Sequence, residues 1–153
     1  RPEFAETDLN QLLDQIIGFA TNHTDMHEVK IVKQFNEELP SFMIDGDQIR
    51  QVAINLILNS GAAMTDGGQL NISTSREEEN AVITFVDTGS GIDEADLERI
   101  FEPFYTTKDR GTGLGLAITR QIIEQHHGSI QMTSRLNHGT TVTIRLPLVR
   151  EEF

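Results

Sequence analysis

Cysteine is absent from the chain, which excludes disulfide bonds and metal sites built on thiolates. The absence is also compatible with a reducing cytoplasm. Basic residues are scarce, because 12 Lys and Arg stand against 24 Asp and Glu, for a formal net charge of −12. A surface of this charge should repel nucleic acid and anionic membranes, so we expect neither as a direct partner.

The chain also lacks a signal peptide, an internal repeat and any apolar run near the roughly 18 residues of a membrane span. Its 153 residues fit one domain, and 37% of them are hydrophobic, enough for a core. The missing initial Met is expected of a fragment excised from a longer protein. We expect a linker remnant at 1–5, a cytoplasmic domain at 6–150 and a tail at 151–153. A membrane anchor elsewhere in the parent protein is compatible with this.

Periodicity predicts a mixture of helices and strands. Apolar residues recur at helical spacing over 8–21, where Asp8 is the expected cap, and over 47–64. Further helices are predicted at 94–100 and after Gly115. Strands are predicted at 29–35, 70–75, 81–86, 129–134 and 141–146. The implied fold is α+β: a two-layer α/β sandwich in which helices cover one face of a mixed sheet.

A polar glycine loop follows the strand at 81–86. Asp87 ends that strand, where a desolvated carboxylate needs a specific donor, and the exocyclic amine of adenine would supply one. Gly89 and Gly91 have no Cβ, so a flat ligand could approach their backbone. The alternative is an ordinary Asp-Gly turn, which clusters of this kind commonly mark.

A second glycine loop precedes the helix that follows Gly115. Gly111, Gly113 and Gly115 alternate with other residues, and a glycine-rich helix start offers free N–H groups and a positive dipole end to phosphate. The spacing differs from the dinucleotide-binding fingerprint, and no Gly-Lys-Ser/Thr follows as in a Walker A loop. Alone, this loop is a weak signal.

Two asparagines interrupt the apolar helix at 47–64. Asn55 and Asn59 are four residues apart and therefore share one face. Their amide oxygens could hold a hard cation, with phosphate oxygens and waters completing the octahedron that Mg²⁺ prefers. The alternative is that both amides bond to nearby backbone or to water.

Together these motifs resemble the catalytic and ATP-binding domain of sensor histidine kinases, of the Bergerat-fold GHKL superfamily. The order and spacing match over nearly the whole chain. The Phe-Tyr-Thr-Thr-Lys sequence and the short lid after it look most like the nitrogen-regulation branch, and Ser60 replaces a usual Ala. The matching segments are Gln51-Val52…Asn55-Leu56…Asn59-Ser60 (N box), Asp87-x-Gly89-x-Gly91 (first glycine box), Phe101-x-Pro103-Phe104 (F box) and Gly111-x-Gly113-Leu114-Gly115-Leu116 (second glycine box).

The resemblance implies a role for each matching residue. Asp87 would read the adenine amine, Asn59 would ligate Mg²⁺, and Asn55 would orient the metal or its waters. Lys108 would act on the terminal phosphate, so Asn55 and Lys108 are the expected catalytic residues, and Thr140 would lie near the base. Phe101 and Phe104 would anchor the lid or simply pack in the core. The other expected nucleotide contacts are Gly89, Gly91, Ile92, Gly111, Thr112, Gly113, Leu114, Gly115 and Leu116.

The resemblance further implies transfer of the γ-phosphoryl group of Mg-ATP to a His on a separate dimerisation domain. His27-Glu28 is the only local look-alike of that acceptor, and it lacks the following Pro. The fragment is therefore expected to be a monomer that binds ATP without phosphorylating itself and meets a response regulator only indirectly. His126, His127 and His138 lie near predicted turns, where we expect them to be solvated.

Two other functions remain open from the sequence. One is a nucleotide-sensing module that kept the fold and lost transfer, against which the intact motifs count. The other is a serine-kinase anti-sigma factor or a hydrolytic relative. Hydrolytic relatives carry a Glu where this chain has Asn55, and an amide cannot accept a proton from water as a general base. The sequence therefore favours transfer over hydrolysis.

Overall fold

A computed structural model describes residues 1–23, 26–103 and 115–149. The helices are α1 (Leu9–Ala20), α2 (Gly46–Ala62), α3 (Glu94–Leu97) and α4 (Gly115–Gln125). The strands are β1 (Ala5–Thr7), β2 (Val29–Gln34), β3 (Phe42–Ile44), β4 (Gly68–Glu77), β5 (Asn80–Asp87), β6 (Ser129–Arg135) and β7 (Gly139–Pro147).

Five strands form one mixed sheet in the order β2-β4-β5-β7-β6. Only the β2–β4 pair is parallel, and α2 lies between these two strands in the chain. The other pairs are antiparallel. Alternate residues of the sheet are buried against the apolar stripes of the long helices, as period-two side-chain alternation requires. The predicted α+β sandwich is confirmed.

The two long helices begin at aspartate caps. Asp8 caps α1 as predicted, because its side chain accepts a hydrogen bond from the Gln11 N–H at 3.2 Å. The cap of α2 is Asp45, whose Oδ1 accepts from the Gln48 N–H at 3.1 Å, so α2 begins one residue earlier than the sequence indicated. These side chains satisfy N–H groups that the first helical turn leaves unpaired.

A second, two-stranded sheet was not predicted. β1 pairs antiparallel with β3, with Ala5 opposite Ile44. The Glu3 N–H donates to Asp45 Oδ2 at 2.8 Å. The end of the segment predicted to be a linker remnant is thus hydrogen-bonded to the start of α2. Strands of three residues are too short to show an alternation, so the sequence pattern could not reveal them.

His126 is buried, and the prediction that it is solvated was wrong. Only 2% of the residue is exposed, just beyond the end of α4. The Asp45 N–H donates to Nε2 at 3.1 Å, so Nδ1 carries the proton and donates to the Ile122 carbonyl at 2.9 Å. The Phe4 ring packs edge-on against the imidazole, with 5.0 Å between ring centroids. By contrast, His127 and His138 are exposed, as predicted.

None of the helices within the described residues is both long and apolar enough to cross a bilayer.

Candidate functional site

A cavity of about 280 Å³ lies between the carboxyl-terminal half of α2 and the ends of β5, β6 and β7. Its apolar lining includes Leu56, Ile100, Met132 and Val142. Six residues that the sequence singled out border it: Asn59, Asp87, Gly91, Ile92, Leu116 and Thr140. Fold and motif thus agree, since positions spread over 82 residues of sequence meet at one concave surface.

Asp87 is held at the cavity by the sheet itself. It is the last residue of β5 and stands opposite Thr140 of β7. Its Oδ1 accepts from the Gly89 N–H at 2.9 Å and from the Thr140 N–H at 3.2 Å, and the residue is only 7% exposed. Within the described part of the chain, Oδ2 accepts no hydrogen bond. A carboxylate offers about four lone-pair sites, so Asp87 retains acceptor capacity toward the cavity.

The first glycine loop packs tightly against its own chain. Gly91 has φ of +75°, and a Cβ there would come 2.1 Å from the Arg135 carbonyl oxygen. A Cβ at Gly89 would come 2.8 Å from the Ala63 carbonyl oxygen, at the end of α2. That same oxygen accepts from the Ser90 N–H at 3.0 Å. These glycines therefore allow the loop to seat against α2 and the β6–β7 turn, which shapes one wall of the cavity.

Ser134 of β6 links two of the predicted site residues. Its Oγ accepts from the Ile92 N–H at 2.7 Å and donates to the Gly139 carbonyl at 3.0 Å. The Thr140 hydroxyl lies 2.7 Å from the same Oγ. Ser134 therefore fixes both the glycine loop and the Thr140 side chain. Sequence reasoning missed it, because a serine in an alternating strand carries no distinguishing signal.

The two asparagines of α2 have different surroundings. Asn59 borders the 280 Å³ cavity, whereas Asn55 borders an adjoining cleft of about 450 Å³ with Gly115 and Thr119. Asn55 Nδ2 donates to Thr119 Oγ1 at 3.1 Å, and a Cβ at Gly115 would come 2.6 Å from Asn55 Oδ1. The start of α4 thus packs against Asn55. Thr119 was not singled out from the sequence.

The donor set fits a magnesium ion held jointly with a phosphorylated ligand. Among residues 1–23, 26–103 and 115–149, no three His, Cys, Asp or Glu side chains cluster as a metal site. Asn59 and Asn55 offer amide oxygens, which are hard donors, and phosphate oxygens and waters would complete the shell of an ion held there. Hard oxygen donors and incomplete protein ligation are the pattern that Mg²⁺ favours.

The segment that holds the F box and the second glycine box is described only at its two ends. Phe101 lies under the Arg120 guanidinium, whose Cζ is 5.8 Å from the ring centroid, so this ring contacts α4. The predicted roles of Phe104, Lys108, Gly111, Thr112, Gly113 and Leu114 lie outside the described residues. Gly115 and Leu116, at the start of α4, are described and border the cleft and the cavity respectively.

Comparison with known proteins identifies the family of this chain. The family model for histidine kinase-, DNA gyrase B- and HSP90-like ATPases matches residues 44–150. Sensor histidine kinase ZraS of Escherichia coli is 36% identical over 141 residues, covering 92% of this chain and 30% of ZraS. Sporulation kinase C of Bacillus subtilis is 37% identical over 147 residues, covering 95% of this chain and 34% of that kinase. The chain therefore spans about a third of the length of these relatives.

A solved structure extends the likeness to three dimensions. The catalytic domain of histidine kinase ThkA superposes with a TM-score of 0.85 at 32% identity, covering 95% of this chain and 96% of that one. Both the sequence and the backbone thus match one type of domain over nearly their whole length. The chain belongs to the family of histidine kinase-, DNA gyrase B- and HSP90-like ATPases, and it is the ATP-binding catalytic domain of a two-component sensor histidine kinase.

Proposed function

We propose that this domain binds Mg-ATP in the cavity between α2 and β5–β7 and transfers its γ-phosphoryl group to a histidine on a separate dimerisation domain. The observation that carries the proposal is the convergence of Asp87, Thr140 and Asn59 on one cavity beside the start of α4. A base-reading acceptor, an amide oxygen and a helix start are the groups that an adenine nucleotide with a chain of phosphates requires.

Adenine recognition is assigned to Asp87. Two main-chain N–H groups fix its Oδ1, so the carboxylate is oriented before a ligand arrives. Oδ2 would then accept from the exocyclic amine of adenine. A guanine carries a carbonyl at that position, which would face the carboxylate with two acceptors opposed. The hydroxyl of Thr140, fixed by Ser134, borders the same end of the cavity.

The phosphates would extend from the base toward α4. Its first-turn N–H groups lack helical partners and favour negative charge. Asn59 would ligate Mg²⁺ and Asn55 would orient the ion or its waters, while Gly111, Thr112, Gly113, Leu114, Gly115 and Leu116 would contact the nucleotide. When bound, Mg²⁺ would neutralise charge on the β- and γ-phosphates. Lys108 would act on the transferred group, so Lys108→Ala should lower transfer more than ADP affinity.

The acceptor histidine is proposed to lie outside this chain. His126 cannot serve, because it is buried and both of its ring nitrogens are hydrogen-bonded. His27 is exposed beside Glu28 and lies immediately before β2, so it is not part of a helix. We therefore assign the acceptor to a dimerisation domain of the parent protein. Because ATP is the substrate, the domain would work in the cytoplasm.

A response regulator is the proposed final recipient of the phosphoryl group. Histidine kinase ThkA has been solved in complex with its response regulator TrrA, and that kinase shares the fold of this chain. The isolated domain is proposed to be a monomer that meets a regulator only through the dimerisation domain. The resemblance of the F box to the nitrogen-regulation branch stays a prediction.

Hydrolysis of ATP to free phosphate is the less favoured alternative. Asn55 stands where a water-activating carboxylate would be needed, and its Nδ2 is a donor to Thr119. An amide in this arrangement cannot take up a proton from water. The domain can position and neutralise the phosphates, but among these motif residues it offers no base for an attacking water.

Incubation with γ-labelled ATP and a separately supplied histidine kinase dimerisation domain tests the proposal. We expect label on the histidine of the added domain, none on this chain alone, and little free phosphate. Asn59→Ala should abolish labelling, and a His→Gln acceptor domain is the matched control. Nucleotide binding without any labelling would instead favour a nucleotide-sensing module, whereas release of phosphate without acceptor would favour hydrolysis.

A further inference from the structure

Thr119 is a buried polar side chain to which neither the motifs nor the proposed function assigns a role. It lies in the second turn of α4, is 2% exposed, and accepts a hydrogen bond from Asn55 Nδ2 at 3.1 Å. This hydrogen bond crosses from α4 to α2. A hydroxyl at so buried a position needs a partner, and its partner is a residue of the proposed phosphate site.

Gly115, also on α4, packs against the same Asn55 carboxamide. A Cβ at Gly115 would come 2.6 Å from Asn55 Oδ1 and 3.2 Å from its Cγ and Nδ2. The carboxamide therefore lies directly against the glycine backbone. Glycine is required here because any side chain would displace the amide, whether or not its N–H also contacts phosphate.

The hydrogen bond to Thr119 holds the Asn55 amide in one orientation. Nδ2 faces the Thr119 oxygen on α4, so Oδ1 is the end of the carboxamide that this bond does not use. A hydroxyl oxygen can accept from an NH₂ group, whereas the methyl group of a valine cannot. Removal of the hydroxyl would therefore release the amide from this orientation.

We propose that Thr119 is a positioning residue that orients Asn55 for phosphoryl transfer. Resting on the proposed function, this assigns Asn55 Oδ1 as the atom that would accept a hydrogen bond from metal-bound water or would contact the metal. Without the hydroxyl, the two orientations of the amide approach equal energy. The flipped form would present NH₂ hydrogens to a cation, which is unfavourable. Thr119 thus affects the metal end of the nucleotide and leaves the base end unchanged.

Calorimetric titration of ADP, with and without Mg²⁺, tests this on the wild type, Thr119→Val and Thr119→Ser. Valine keeps the branched shape and removes the hydroxyl, whereas serine keeps the hydroxyl. We expect Thr119→Val to reduce the Mg²⁺-dependent gain in ADP affinity roughly ten-fold, as for groups that orient metal ligands. Metal-free ADP affinity should not change, and Thr119→Ser should stay within about two-fold of wild type.

A double-mutant cycle separates positioning from packing. In an Asn55→Ala background, Thr119→Val should cause no further loss of the Mg²⁺ effect, because Thr119 acts only through Asn55. An equal loss in both backgrounds, or a serine variant as impaired as the valine one, would overturn the inference. Thermal unfolding of each variant shows whether it is folded. Should valine prevent folding, Thr119→Ala replaces it in the same cycle.

The outcomes distinguish this inference from the function on which it rests. If the ADP affinity of the wild type does not depend on Mg²⁺, the metal role of the asparagines is contradicted, and so is the assigned role of Thr119. A wild type that depends on Mg²⁺, with a Thr119→Val variant that depends on it equally, overturns the positioning role alone. In phosphotransfer, the valine variant should lower kcat more than it raises KM for ATP.

Discussion

The proposed role of Asp87 combines structure and recognition in one carboxylate. Oδ1 joins the end of β5 to the glycine loop and to Thr140, and the residue borders the cavity. An Asn at this position must place an NH₂ group at one of the two carboxylate positions. It would oppose either a main-chain N–H donor or the amine of the base, so no orientation of the amide preserves both roles.

Asp87→Asn should therefore weaken ADP binding by about 1–3 kcal/mol, the usual cost of an unsatisfied buried polar group. Calorimetry measures the loss, and GDP is the control ligand because its base has a carbonyl where adenine has an amine. The wild type should prefer ADP, and the variant should prefer it less. Equal binding of ADP and GDP by the wild type would show that Asp87 does not read the base.

The sequence predicted the site residues that have unusual chemistry for their position. A carboxylate at a strand end and amides within an apolar helix are conspicuous, so Asp87, Asn55 and Asn59 could be proposed as site residues from the sequence. Thr119 and Ser134 were not, because a threonine in a helix and a serine in a strand are common. Their importance comes only from what they touch across the fold, and one sequence without its contacts does not contain that information.

At the scale of elements, α2 and α4 are joined at two points. Asn55 and Thr119 link them beside the phosphate site, and Asp45 and His126 link them at the other end. α4 has its carboxyl-terminal end near the start of α2, so the helices run in opposite directions. The His126 link also carries the amino-terminal segment, through Phe4 against the imidazole.

Replacement of His126 by Leu should destabilise the domain, because the buried N–H of Asp45 would lose its acceptor. The expected loss is about 1–3 kcal/mol in the free energy of unfolding. Urea titration followed by circular dichroism measures it. His127→Asn is the matched control, since His127 is exposed with φ of 61°, a backbone conformation that Asn tolerates. Loss of equal size in both variants would contradict the link.

Asp45 should make stability depend on pH at the start of α2. Burial alone would raise its pKa, but hydrogen bonds from the N–H groups of Glu3, Gln48 and Asp47 outweigh it and lower the pKa below its usual value. A lowered folded-state pKa stabilises the fold above the unfolded value of about 3.9. The contribution is lost as pH falls through the folded pKa.

Asp45→Asn should accordingly cost stability at pH 7, and the deficit should shrink as pH falls below about 4. Thermal unfolding of both proteins across this range measures the difference. Asp14→Asn, in an exposed ion pair with Lys33, is the control and should change little at any pH. A deficit that persists unchanged in acid would assign the effect of Asp45 to shape rather than charge.

The sequence predicted the longer elements and missed the shortest. α1, α2, β2, β4 and β5 have enough residues for a period to emerge, and each lies close to its predicted range. α3 is shorter than predicted, ending at Leu97, and Ile100 packs at the cavity from outside the helix. β1 and β3 exist through pairing with each other, which local pattern does not encode.

For the whole molecule, the negative net charge leads us to expect that a cation takes part in ligand binding. A chain with formal charge −12 must bind a ligand that carries several negative charges of its own. Helix dipoles and a few Lys or Arg offset only part of this repulsion. We therefore expect a divalent ion to be needed for tight binding, in addition to any role that it has in transfer.

ADP affinity should fall at least ten-fold when Mg²⁺ is removed with a chelator. This corresponds to about 1.4 kcal/mol of binding free energy, more than the roughly 1 kcal/mol of a single hydrogen bond. Calorimetry at constant ionic strength measures this. The control for screening replaces the Mg²⁺ with enough Na⁺ to supply the same total positive charge. AMP, which lacks the β-phosphate, should show little dependence on the ion. The same affinity with and without Mg²⁺ would contradict the metal role of Asn59.

Base recognition can exist only after a long-range strand pairing has formed. Asp87 and Thr140 stand opposite each other across β5 and β7, although 53 residues separate them in the chain. Such non-local pairing is slow to form, so partly folded chains offer adenine no complete site. Nucleotide should consequently slow unfolding and leave the refolding rate unchanged, because the site that it binds is complete only after the rate-limiting step. In a cell, ATP would slow the unfolding of the folded domain and would not speed its folding.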